Sequence, residues 1–181
     1  MKIIDEHAFK GTFKGKDVAL YTLKNRNGMV AQITNFGAKI VSIYVPDRNG
    51  IFTDVLQGYE TVAEWLDGFP FFGAICGRYA NRIANGAFSI DGHPYKLPIN
   101  NGPNSLHGGI DGFNNQVFEV ISVSTDSIKL YYRSVDTEEG YPGNLDFSVT
   151  YSITNENELI LNYHGTTDKP THINICSHGF F

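Results

Sequence analysis

Apolar and polar residues alternate along several stretches of this chain. Phe88 and Ile90 alternate with polar neighbours, and after Asp91-Gly92 so do Tyr95 and Leu97. Two such runs joined by a two-residue Asp-Gly link predict a β-hairpin. Ile128, Leu130 and Tyr132 repeat the pattern, as do Phe147, Val149, Tyr151 and Ile153, and then Leu159, Leu161 and Tyr163. Period two over segments of this length predicts half-buried antiparallel strands. Between and before them lie turn dipeptides: Asn-Gly at 27–28, 49–50, 85–86 and 101–102, and Asp-Gly at 67–68, 91–92 and 111–112. Such pairs favour left-handed backbone in tight turns, so the chain is expected to reverse often. Helical signal is confined to Thr61-Val62-Ala63-Glu64-Trp65-Leu66, with Thr61 as cap and Asp67-Gly68 as stop. The predicted class is all-β, with large antiparallel sheets packed face to face. No repeat or linker divides it.

Composition narrows this picture. The chain has 181 residues, 41% hydrophobic and 18% charged, which excludes disorder. A domain of this size buries roughly two-thirds of its extended-chain surface. Two cysteines, Cys76 and Cys176, cannot make a disulfide scaffold of a chain this long, and reduced, separate thiols are expected. The net charge of −5 argues against nucleic acid as partner. No window approaches the ~18 apolar residues of a membrane span, and the N-terminus lacks a signal-peptide stretch. The expectation is a soluble cytoplasmic protein with no membrane partner. The last segment, Thr171 to Phe181, is apolar and strand-like where termini are usually polar, so truncation at the C-terminus is the expected reading.

Three segments could carry chemistry. The stretch from Phe71 to Gly86 sets two arginines, Arg78 and Arg82, and two asparagines, Asn81 and Asn85, among small and apolar residues. Such groups either tie down a loop or bind a polyol, whose hydroxyls both donate and accept. Asn100-Asn101-Gly102-Pro103-Asn104-Ser105-Leu106-His107-Gly108-Gly109 is a turn-rich polar loop in which the glycines beside His107 let a ligand approach the backbone closely. His178 lies on the apolar terminal segment. The six histidines show no metal-ligand spacing, and neither a P-loop, a G-x-G-x-x-G nor a G-x-S-x-G elbow is present. No metal or cofactor is expected.

Taken in order, these segments resemble the aldose 1-epimerase (galactose mutarotase) family. Gly77-Arg78-Tyr79-Ala80-Asn81-Arg82-Ile83-Ala84 is similar to its G-R-x-A-N-R-I segment, and the loop through His107 to its P-N-S-L-H-G-G segment. Glu138-Glu139-Gly140-Tyr141-Pro142-Gly143 matches its E-E-G-Y-P-G turn. Ile33-Thr34-Asn35-Phe36-Gly37-Ala38 and Asp54-Val55-Leu56-Gln57-Gly58-Tyr59 fall in the same order. The resemblance implies a β-supersandwich, with residues 1–181 as its N-terminal part and the fold incomplete at the C-terminus. It implies a small-molecule aldose, galactose or glucose, whose α- and β-anomers interconvert by acid/base ring opening and closure. By motif, Asn81, Arg82 and His107 would hold sugar hydroxyls, Arg78 would bind or organise from behind, and His178 would be the general acid. Around His178, Ser177, Gly179 and Phe180 stand where the family commonly has Asn, Ser and Tyr. The family's general base, a Glu, falls beyond Phe181, and Glu138 and Glu139 belong to the turn motif. The alternatives are a non-catalytic sugar-binding module and an inactive fragment. An incomplete sandwich also leaves apolar faces and edges that self-association or a completing chain would cover.

Overall fold

The computed structural model describes residues 2–181. In chain order its strands are β1 (Gly11–Phe13), β2 (Lys16–Val18), β3 (Leu20–Lys24), β4 (Val30–Thr34), β5 (Ile40–Pro46) and β6 (Phe52–Asp54). The helix α1 (Val62–Asp67) follows. Next come β7 (Ile75–Cys76), β8 (Arg82–Ile83), β9 (Ala87–Ile90), β10 (His93–Lys96) and β11 (Ser105–Leu106). The chain ends with β12 (Glu119–Val123), β13 (Ser127–Ser134), β14 (Leu145–Ile153), β15 (Leu159–Thr167) and β16 (Cys176–Ser177).

Two four-stranded antiparallel sheets form the frame, in the orders β3-β4-β5-β6 and β12-β13-β14-β15. Their facing residues make one core: Leu23, Ile33 and Ile43 from the first sheet meet Leu130, Phe147, Val149 and Tyr151 from the second. The expected all-β sandwich of antiparallel sheets is present. The alternating segments form β13, β14 and β15, as their period predicts. The hairpin β9–β10 turns on Asp91 (φ 50°) and Gly92 (φ 80°), left-handed at both positions.

The helix begins at Val62 behind Thr61, whose hydroxyl accepts from the Glu64 N–H while the Glu64 carboxylate accepts from the Thr61 N–H. This reciprocal cap, with Gly68 ending the helix, matches the expected limits. Trp65 and Val62 pack with Phe9, Val18, Leu20 and Val41 in a second cluster on the outer face of the first sheet. Covered on both faces, β4 is buried at all five positions and its sequence Val-Ala-Gln-Ile-Thr cannot alternate. Its polar residue is satisfied: Gln32 Nε2 donates to Ile4 O and Thr22 Oγ1, and Oε1 accepts from Ile4 N–H and Ser42 Oγ.

The turn dipeptides divide. Those at 27–28, 49–50 and 91–92 join successive paired strands. Asp67-Gly68 instead ends the helix, and Gly112 has φ −66°, outside the left-handed region. No helix among the described residues is long and apolar enough to cross a membrane.

Candidate functional site

Two short ladders assemble the site. In β8–β11, Arg82 pairs with Leu106 and Ile83 with Ser105, which sets Arg82 alongside the loop that carries His107. In β16–β7, Cys176 pairs with Cys76 and Ser177 with Ile75. The pairing continues into His178, whose N–H donates to Ala74 O (2.9 Å) and whose carbonyl accepts from Gly73 N–H (3.0 Å). His107 and His178, remote in sequence, therefore meet with ring centroids 4.8 Å apart and planes at 88°. Phe71 lies 4.7 Å from the His107 ring and 5.9 Å from that of His178, and Phe180 packs 5.0 Å from His178.

His107 is held by Asn81. The His107 N–H donates to Asn81 O, and the Asn81 N–H donates to His107 Nδ1, both at 3.0 Å. Both residues adopt left-handed backbone, at φ 53° and 63°. A ring nitrogen that accepts carries no proton, so neutral His107 bears its hydrogen on Nε2. Burial, with the nearby His178 and Arg82, lowers its pKa to about 4. At neutral pH His107 is thus an uncharged ring with an Nε2–H donor.

The loop around it is clamped at both ends. Asn100 Nδ2 donates to Leu106 O and Gly109 O, while its Oδ1 accepts from Leu106 N–H. Glu139 accepts from the N–H groups of Ile110 (2.8 Å) and Asp111 (3.1 Å). At Gly108, φ is 93° and an added Cβ would lie 1.8 Å from Gly77 O, so only glycine fits.

The remaining sequence-derived residues separate into two groups. Arg82 is exposed; its Nε donates to Asn101 Oδ1 (2.8 Å) and its Nη1 to Asn81 Oδ1 (3.3 Å). Its Nη2 has no protein partner among the described residues and faces no competing bond for a ligand. Arg78 differs. It is 2% exposed, and its guanidinium donates to Ser134 Oγ and O, Val135 O, Pro142 O and Gly143 O. With its five N–H donors so engaged, Arg78 lies in the geometry of the organising alternative expected for it rather than of direct contact. Glu138 accepts from the hydroxyls of Ser134 and Tyr132 in the same network.

Sequence reasoning did not single out Phe71, Phe180, Asn100 or Asn101 as site residues, and it assigned Glu139 only to a turn. Their signal lay in the same motifs, but their contacts cross between motifs. A second correction concerns the thiols. Cys76 and Cys176 are free, as expected, but they are not separate: they are direct cross-strand partners.

The family model for aldose 1-epimerase matches residues 19–181 of this chain. The chain belongs to the aldose 1-epimerase family. A galactose mutarotase from Sus scrofa is 44% identical over 149 residues, covering 82% of this chain and 43% of that protein. An aldose 1-epimerase from Escherichia coli K12 is 35% identical over 167 residues, covering 92% of this chain and 48% of its own length. Among solved structures, a GalM/aldose epimerase homologue from C. elegans superposes with a TM-score of 0.87 at 32% identity, over 90% of this chain and 50% of that one. Galactose 1-epimerase from Lactobacillus acidophilus gives a TM-score of 0.83 at 27% identity, over 94% of this chain and 51% of that one. This family member thus has the galactose mutarotase-like fold and spans about half the length of the relatives it matches.

Proposed function

We propose that this chain carries the acid-bearing part of an aldose 1-epimerase site, which interconverts the α- and β-anomers of hexoses such as galactose and glucose. The observation that carries the reading is the perpendicular His107–His178 pair, with His107 oriented by the Asn81 N–H and kept neutral by burial. A ring-opening acid must give a proton to the ring oxygen and take it back, which suits an imidazole beside neutral donors. In this reading His178 protonates the ring oxygen. His107 donates from Nε2 to a sugar hydroxyl, and Asn81 and Arg82 hold others. A neutral His107 also avoids setting a second cation against His178 at the moment of proton transfer. A base removes the anomeric hydroxyl proton, the ring opens, C1 rotates about its bond to C2, and the ring recloses on the other face.

Neither glutamate of the turn motif is free to be that base. Glu138 takes the Tyr132 and Ser134 hydroxyls, and Glu139 takes two backbone N–H groups. The 181-residue chain is therefore expected to bind aldose but to turn it over slowly, short by a factor of order 10² to 10⁴ of a complete acid/base pair. Calorimetry and polarimetry with galactose test this together. Saturable binding that weakens in His107→Ala, with slow mutarotation lost in His178→Ala, is expected. Absence of binding at millimolar sugar, or full-speed mutarotation in His178→Ala, would overturn it. Saturable binding without any rate enhancement would instead favour a non-catalytic sugar-binding module.

A further inference from the structure

The two cysteines lie outside that machinery and meet only in the fold. Cys176 on β16 is the direct Cα partner of Cys76 on β7. Directly opposed residues in an antiparallel pair have Cα atoms roughly 4.5–5.5 Å apart. A disulfide spans Cα separations of about 4.4–6.8 Å, so a bond between the two sulfurs needs no slip of either strand. Both thiols are free.

Their access differs. Cys76 is wholly buried, at 0% exposure. Cys176 is half-buried, and its strand belongs to a two-stranded pair rather than to either large sheet. A small solute can therefore reach one sulfur while the other waits behind it. Ionisation follows the same asymmetry. The neighbouring Cys76 thiol draws the Cys176 thiol down, while the same proximity and burial push Cys76 up. The partner that faces solvent is the one that ionises.

We propose that Cys76 and Cys176 form a thiol–disulfide site, closed by small-molecule disulfides of the oxidised-glutathione type, and that closure fixes the strand carrying His178. The Cys176 thiolate attacks one sulfur of the small disulfide, forms a mixed disulfide and releases one thiolate, which takes up a proton. Cys76 attacks Cys176 Sγ and expels the second small thiolate, which takes up the proton that Cys76 gives up. Two protein thiols give up two electrons, and one small disulfide is reduced to two thiols. His178 lies two residues past Cys176, joined to the same partner segment through Ala74 O and Gly73 N–H. The β7–β16 ladder is only two residues long, and its segment is otherwise held by bonds on either side, from Asn174 N–H to Arg78 O and from Gln57 N–H to Phe180 O, and by Phe180 against Phe72. A covalent tie inside the ladder opposes its opening, whatever ligand the neighbouring site takes.

The test uses the 181-residue chain with oxidised glutathione in native buffer, followed by alkylation and peptide mapping. The wild type is expected to form no intermolecular disulfide and to yield a Cys76–Cys176 peptide. Cys76→Ser, checked as folded by its melting curve, is expected to hold one glutathione on Cys176, and Cys176→Ser to stay unmodified. Amide hydrogen exchange at His178 is expected to slow by about tenfold or more on oxidation and to recover with dithiothreitol. A stable mixed disulfide in the wild type, a cross-linked dimer, or two free thiols in excess oxidant would overturn the site. An intramolecular link without slower exchange at His178 would overturn the fixing of its strand.

Discussion

Lys39 is buried at 0% exposure, and its Nζ has no hydrogen-bond partner among the described residues. The ammonium lies 3.8 Å from the Phe36 ring centroid and 5.5 Å from that of Trp65. Loss of water pulls its pKa from 10.5 to about 7. At about 1.4 kcal/mol per pKa unit, that displacement corresponds to ~5 kcal/mol in favour of the neutral amine. The sign follows from proton counts. The unfolded chain takes up the proton near pH 10.5 and the folded chain only near pH 7, so between these values the unfolded state binds more protons. Stability contributed here is full above pH 10.5, falls as pH drops toward 7, and is level below it. Lys39→Met keeps the length and removes the charge. The variant is expected to be more stable at pH 7 by as much as ~5 kcal/mol, with the gain shrinking as pH rises toward 10.5. Urea melts of both proteins at pH 7, 8, 9 and 10 measure this difference. A variant no more stable than wild type at pH 7, or a gain independent of pH, would refute the reasoning.

Other expectations follow from the same contacts. Arg78→Met leaves buried carbonyls and Glu138 without their cation and is expected to cost about 3–5 kcal/mol in urea unfolding; a loss under 1 kcal/mol would show the network to be dispensable. Gly108→Ala forces a Cβ against Gly77 O at φ 93°, and chemical shifts of the His107 and His178 rings should change together; unchanged shifts would contradict the close fit. The His107 pKa is depressed from 6.5 to about 4, so stability contributed by the neutral ring is full above pH 6.5 and is lost as pH falls toward 4. His107→Gln should flatten that fall in thermal melts, and two parallel profiles would count against it.

Legibility in the sequence followed how local each interaction is. The β9–β10 hairpin, strands β13 to β15 and the capped helix depend on neighbours a few positions apart, and their signals stood in the residue pattern. The first sheet was harder to read. With both faces of β4 covered, Gln32 is buried beside Ile33 and the period is lost. The site divides in the same way. His107, Asn81, Arg82 and His178 were legible as residues within motifs, and the His107–Asn81 lock was not. Arg78 stood in the same motif as Asn81, yet its side chain turns into a carbonyl-lined interior rather than to a ligand.

By itself, then, the sequence determined the class, the hairpins, the helix limits and the family, because each is written in short spacings and ordered motifs. Only the tertiary structure decided that His107 meets His178, that Glu139 clamps the loop, and that Cys76 faces Cys176. Those contacts join segments far apart along the chain. Their geometry depends on the register of β8 with β11 and β7 with β16, which is set by the packing of the whole sandwich and not by the residues on either strand.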